Sequence, residues 1–158
     1  MEIMKVKEVL FDEQAGSVVL LVDKEESRIL PIWIGMFEAQ AIAMTLHGVM
    51  TPRPMTHDLM NSLCQTMGAQ VKKIVVSDIR EGTYYAEIYL TREQEEIVMD
   101  SRPSDAIALA LRAGVELYVT EKVGSQAVNI QELDEEKQSE LKKLLDSLKP
   151  DDDQNMLH

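Results

Sequence analysis

The sequence predicts an α+β domain: a mixed, mainly antiparallel sheet with three packed helices and a C-terminal charged helix. Three observations lead there. Apolar runs with strand-like patterning open the chain, and more appear in its middle, joined by short polar links that suit antiparallel neighbours. Three segments between them carry helical spacing, each bounded by glycine. The last stretch is charged, with only a partial leucine stripe. The 158 residues are 45% hydrophobic and 28% charged. That is the composition of an ordinary folded chain, long enough to bury about 70% of its unfolded surface, and it excludes collagen-like, low-complexity and wholly disordered classes.

The elements follow in order. Residues 3–11, Ser17–Asp23 and Arg28–Ile34 read as a three-stranded meander, with Val18–Val22 so apolar that both faces of that strand are expected to be covered. Ala39, Ile42, Ala43 and Leu46 recur at i, i+3, i+4 and i+7 and predict a first helix, stopped at Gly48. Two prolines, Pro52 and Pro54, keep the next loop non-helical. Thr56 is the expected N-cap of a second helix with Asp58 in its first turn, an apolar stripe of Leu59, Leu63 and Met67, and Gly68 at its close. Val71–Ile79 and Thr83–Thr91, joined by Arg80-Glu81-Gly82, form a hairpin with one solvated face; Glu96–Asp100 adds a short strand. Pro103 opens a third helix over Ser104–Arg112, capped by Gly114 and followed by a strand at Glu116–Val119. The expected division is a body over 1–128, a charged helix over 129–149 ending at Pro150, and a disordered tail over 150–158.

Charge narrows the function classes. The net charge is −12, with 9 acidic and 4 basic residues in 131–158, so the first 130 residues carry −7. An acid-coated molecule is repelled by phosphates at long range, so any nucleic-acid function must arise from a local site rather than from a global field. The single cysteine, Cys64, allows neither an intramolecular disulfide nor a cysteine metal site; it reads as a small buried hydrophobe. No apolar run approaches the ~18 residues of a membrane span. The N-terminal residues lack the pattern of an export signal, and the expected compartment is the cytoplasm.

Arg53-Pro54-Met55-Thr56-His57-Asp58-Leu59 and Asp100-Ser101-Arg102-Pro103-Ser104-Asp105-Ala106-Ile107-Ala108-Leu109-Ala110 closely resemble the signature stretches of the bifunctional nuclease (BFN) domain family. Pro31-Ile32-Trp33-Ile34-Gly35 followed by Glu38-Ala39 is similar to that family's first signature. The likeness spans roughly residues 3–125, with the three motifs in order. It implies an α+β domain, a homo-oligomer (dimer or trimer), and cleavage of DNA and RNA. The resemblance also implies further C-terminal modules in plant relatives, whereas a short charged helix is expected here.

Phosphodiester cleavage needs charge stabilisation on the phosphorane together with a proton acceptor and donor, or a metal in place of some of these. Arg53 and Arg102 are candidate phosphate clamps, with Thr56 and Ser104 at helix starts whose N–H groups would face an anion. His57, Asp58, Asp105 and Glu38 are the candidate catalytic set. Asp58 and Asp105, with Asp100 and Glu38 nearby in the motifs, are candidate ligands for Mg²⁺ or Mn²⁺. Each residue also has a plainer reading. Thr56 with Asp58, and Ser101 with Ser104 and Asp105, are ordinary helix-start chemistry; Arg102 with Asp105, and Arg53 with Asp58 or Glu38, are potential structural ion pairs. Trp33 reads as core or interface packing rather than a base-stacking platform, and Tyr85 and Tyr89 as cross-strand packing. The alternative to a nuclease of low sequence preference is a non-enzymatic oligomeric module that binds a small anionic ligand or a protein.

Overall fold

In the computed structural model, residues 1–12, 14 and 16–147 are described, with side chains described to residue 143. The expected helix end at Pro150 and the tail 150–158 lie outside the described residues. β1 (Glu2–Asp12), β2 (Gly16–Val22) and β3 (Arg28–Ile34) form the expected meander. The helices α1 (Met36–Leu46) and α2 (Thr56–Thr66) come next, then β4 (Ala69–Arg80), β5 (Thr83–Arg92) and β6 (Glu95–Ser101). α3 (Pro103–Ala113) crosses back to β7 (Glu116–Val119), which lies parallel to β4. A short α4 (Glu121–Gly124), a two-residue β8 (Val128–Asn129), a 3₁₀ turn at Ile130–Glu132 and α5 (Glu135–Ser147) complete the described chain.

All eight strands share one sheet in the order β6-β5-β4-β7-β1-β2-β3-β8, and every neighbouring pair except β4 with β7 is antiparallel. The mixed sheet follows from link length. Two-residue turns with left-handed residues, Glu81 with Gly82 and Glu93 with Gln94, reverse β4 into β5 and β5 into β6. The eleven-residue α3 is long enough to return the chain in the parallel sense. One sheet face packs against α1, α2 and α3 around Val19, Leu21, Ile42, Ile74, Ile107 and Leu109. α3 is the most enclosed helix of the three, buried from Pro103 through Ala110 apart from Asp105. On the other face Val18, Leu20, Val22 and Ile29 are met by Leu10, Ile130 and Leu141, so β2 is covered on both sides and α5 reaches the body through Leu141.

Two apolar features face outward in the described chain. Leu59, Leu63 and Met67 face solvent, and the inward residues of α2 are His57, Met60 and Cys64. A stripe at i, i+4, i+8 fixes a helix but not the face the fold buries. Here the buried side packs Met60 and Cys64 against the core and carries the His57 contact described below. Trp33 is 61% exposed and lies outside the core; it follows Ile32 on β3, so the pleat turns it to the opposite face. On the solvated side of the hairpin, Lys73 lies over Tyr89 at 4.6 Å and Arg80 over Tyr85 at 4.7 Å, so both rings already carry a cation.

The β2–β3 turn is held by a buried carboxylate. Asp23 accepts from Ser27 N (2.7 Å), Ser27 Oγ (2.8 Å), Arg28 N (3.1 Å) and Arg28 Nε (3.3 Å). Burial raises its pKa, but the Ser27 hydroxyl, the two backbone N–H groups and Arg28 outweigh that, leaving it below the usual carboxylate value. A depressed folded-state pKa contributes stability above the unfolded pKa that is lost as pH falls through the folded one. Asp23→Asn is therefore expected to lower unfolding free energy by about 1.5–3 kcal/mol at pH 7. In urea titrations the gap to wild type should shrink steadily below about pH 4; a gap independent of pH would exclude this role.

Candidate active site

The Arg-Pro segments at 53–58 and 102–105 converge. His57, 6% exposed in the first turn of α2, has its Nε2 at 3.0 Å from Oδ1 of Asp105 in the first turn of α3. Asp105 also accepts from Arg102 Nε through Oδ2 at 2.8 Å. Arg102 Nη2 reaches Glu38 Oε1 of α1 at 2.9 Å. One chain of charge-assisted bonds thus ties the N-terminal turns of all three helices: Glu38, Arg102, Asp105, His57. Asp105, then Glu38, hold the Arg102 guanidinium above its usual pKa. Arg102 is still 66% exposed, so it keeps donors turned to solvent. His57, Asp105, Arg102, Glu38 and Thr56 line one cleft of 390 Å³ with Phe37.

Local sequence explains the placement. Glu38 folds back over Gly35, where any Cβ would overlap its carboxylate, so the Gly35–Glu38 spacing sets the reach towards Arg102. Pro103 begins α3 where no N–H is needed, and Arg102 precedes it in extended conformation, which leaves its side chain at the mouth of the cleft. At α2 the expected Thr56 cap is not formed. Met55 is the N-cap residue, and the Asp58 carboxylate accepts from its backbone N–H at 2.8 Å. Asp58, one turn into the helix, reaches that donor where the Thr56 hydroxyl does not.

The other candidates are placed apart. Asp58 pairs with Arg112 Nε at 2.8 Å, and Arg112 (side chain 6% exposed) also donates to Ala108 O and Ala41 O. Asp58 lines a different hollow with Thr45, Met50 and Asn61. Asp58 and Asp105 are thus held by different guanidiniums, and among the described residues no group of three or more His, Cys, Asp or Glu side chains is arranged to hold a metal ion. The candidate pair does not fit a built Mg²⁺ or Mn²⁺ cage. Arg53 is exposed, and its side chain has no hydrogen bond or ion pair among the described residues, so neither expected pairing with Asp58 or Glu38 forms. Ser104 is buried behind Arg102 and lines a second cleft, on whose rim Arg102 also sits. Sequence reasoning missed Arg112. Its only signal was a basic residue in the last turn of a helix, which the helix dipole explains as well.

Comparison with known proteins agrees with the motif resemblance. The model of the bifunctional nuclease domain family matches residues 19–132. An uncharacterized protein of Mycobacterium tuberculosis is 43% identical over 149 residues, covering 88% of this chain and 89% of that protein. Bifunctional nuclease 1 of Oryza sativa subsp. japonica is 26% identical over 110 residues, 68% of this chain and 33% of its own length. Bifunctional nuclease 2 of Arabidopsis thaliana is 26% identical over 107 residues, 66% of this chain and 32% of its own. The chain belongs to the bifunctional nuclease domain family and spans about a third of the length of these plant relatives. No described helix is long and apolar enough to cross a membrane.

Asp58 has a role that does not need substrate. Asp58→Ala leaves the enclosed Arg112 charge without its carboxylate, and should cost about 2–4 kcal/mol of folding free energy by chemical denaturation. Asp105→Asn keeps a hydrogen-bonding side chain of the same shape against His57 and the exposed Arg102, and should cost under about 1.5 kcal/mol. The reverse ranking would show that Asp105, not Asp58, carries the structural load.

Proposed function

We propose that this member of the bifunctional nuclease domain family hydrolyses phosphodiester bonds of DNA and RNA with little sequence preference, in the cleft between the first turns of α1, α2 and α3. The observation that carries the reading is the 3.0 Å contact of His57 with Asp105, residues 48 positions apart in two motifs. Asp105 accepts from the His57 Nε2–H, which fixes the tautomer and leaves Nδ1 with a free lone pair. Nδ1 has no hydrogen bond among the described residues. It takes a proton from the attacking water while Asp105 stabilises the imidazolium that forms; the P–O bond to the leaving oxygen breaks, solvent protonates that oxygen, and the imidazolium returns its proton to solvent. Arg102, oriented by Glu38 and Asp105, presents its remaining donors to the phosphorane oxygens. Thr56 and Arg53, at the α2 entrance, are the candidate contacts to the rest of the strand. Asp58 acts one step back, through Arg112.

A second reading is a non-enzymatic homo-oligomeric module, a dimer or trimer binding a small anionic ligand. It is favoured by the outward stripe of α2, where Leu59, Leu63 and Met67 are exposed. In a chain of net charge −12, α2 holds only one acidic residue, already paired with Arg112. Two copies of this face can meet without like-charge repulsion. The domain division at about residue 128 and a cytoplasmic setting remain parts of the proposal.

The test is cleavage of end-labelled single-stranded DNA and RNA by purified protein, with added Mg²⁺ or Mn²⁺ and with chelator. His57→Ala and Asp105→Asn are each expected to lower the rate by about 10²–10³-fold, the range for a lost general base or its support. Lys24→Ala should leave it unchanged. Equal trace activity in wild type and all three variants would remove the hydrolase reading and leave the binding module.

A further inference from the structure

The second cleft bordered by Arg102 is the larger of the two, 510 Å³, and the proposed reaction makes no use of it. It lies between the start of β2, the end of β3, the β4–β5 turn and the start of α3. Four polar or charged residues are buried among those described: Ser17, Asp23, His57 and Ser104. Asp23 and His57 have partners. Ser17 and Ser104, each 5% exposed, have no side-chain hydrogen bond among the described residues, and both line this cleft. No described side-chain oxygen or nitrogen is both fully buried and unpartnered, so the hydroxyls of these two otherwise enclosed serines keep contact with solvent, open to water or to a ligand. No side chain caps α3, Pro103 has no N–H, and the N–H groups of Ser104 and Asp105 have no partner among the described residues. The Tyr84 hydroxyl, likewise unpartnered among them, lies on the same wall; burial raises its pKa, so it stays a donor at neutral pH.

The groups that converge here are donors: two serine hydroxyls, a tyrosine hydroxyl, a helix start and the guanidinium of Arg102. Among the described residues lining the cleft none is acidic, although the chain carries −12. Glu38 and Asp105 meet Arg102 from the other cleft. A dense donor set without a carboxylate suits a tetrahedral oxyanion better than a sugar or a cation. Trp33 stands at the rim, 61% exposed, where a base that is not stacked in a duplex can lie against it.

We propose that this cleft is a phosphate subsite, in which Ser17, Ser104, the α3 N-terminus and Arg102 hold one phosphodiester of a single-stranded nucleic acid next to the His57–Asp105 cleft. The proposal rests on the hydrolase reading for its choice of ligand, and Arg102, shared by both clefts, sets neighbouring phosphates in line.

Trp33 is the sole tryptophan and reports on this rim directly. Full-length protein is titrated with the single strand (dT)8, a duplex of the same length and inorganic phosphate, following indole fluorescence in chelator. Saturable quenching by (dT)8 is expected, tighter than by the duplex or by phosphate. Ser17→Ala and Ser104→Ala, which remove hydroxyls the fold does not use and should keep the wild-type melting temperature, are each expected to weaken (dT)8 by about 3–10-fold. Unchanged affinity in the double serine variant overturns the subsite, as does equal binding of (dT)8 and inorganic phosphate. Fluorescence that depends on protein concentration alone, with no response to (dT)8, assigns the rim to a second copy and also overturns it. Serine-dependent binding without cleavage keeps the subsite and removes the hydrolase reading; cleavage without serine dependence does the opposite.

Discussion

Asp105 is the joint on which the site depends. Its two carboxylate oxygens face different helices: one takes His57 from α2, the other takes Arg102, which in turn reaches Glu38 on α1. A carboxylate is suited to this because it accepts from several donors at once, and its charge strengthens each bond. Its placement is set by apolar packing. α3 is buried along nearly its whole length, so its first turn is fixed against the sheet, and α1 and α2 settle against it. The core supplies the precision, and the polar chain spends it on orienting two side chains.

The same carboxylate explains why His57 is enclosed. An imidazole this deep requires a partner, and Asp105 supplies it on the inward face of α2. Met60 and Cys64 pack inward with His57, and Leu59, Leu63 and Met67 lie on the outer side. Arg112 repeats the logic one helix end away. It is enclosed, and Asp58 with two backbone carbonyls satisfies its donors. Two acidic residues at equivalent helix starts therefore do different work. Asp105 meets a histidine and an exposed guanidinium beside an open cleft; Asp58 neutralises a buried guanidinium.

Much of this architecture was legible because it rests on local rules. Turn chemistry, alternation and helical spacing placed the strands and α1 to α3, and α3 begins at Pro103, one residue before the Ser104 expectation. The short elements after Glu121 were not legible, since a four-residue helix and a two-residue strand leave no period to read. The motifs brought His57, Arg102, Asp105 and Glu38 onto one wall but could not separate Asp58 from them, because the residue that claims it, Arg112, lies outside every motif. The outward turn of Trp33 and of the α2 stripe was not legible for one reason: periodicity states which residues share a face, and only tertiary contacts state which way that face turns.

The acidic surface and a phosphate-binding role are compatible once range is considered. Long-range repulsion between exposed charges decays over a Debye length of about 8 Å at physiological ionic strength. It slows encounter but acts weakly on contacts already made. Donors in a cleft act at bond length, in a medium where each hydrogen bond is worth more than in water. On this chain the acids beside Arg102 are already bonded to it: Glu38 and Asp105 both pair with that guanidinium and line the other cleft. The two clefts thus divide the labour around one arginine. One holds the carboxylates that orient it, and the other, among the described residues, carries hydroxyls and no acidic side chain. Such a division favours a ligand that arrives slowly and is then held by geometry, and it disfavours any polyanion that is recognised by charge alone.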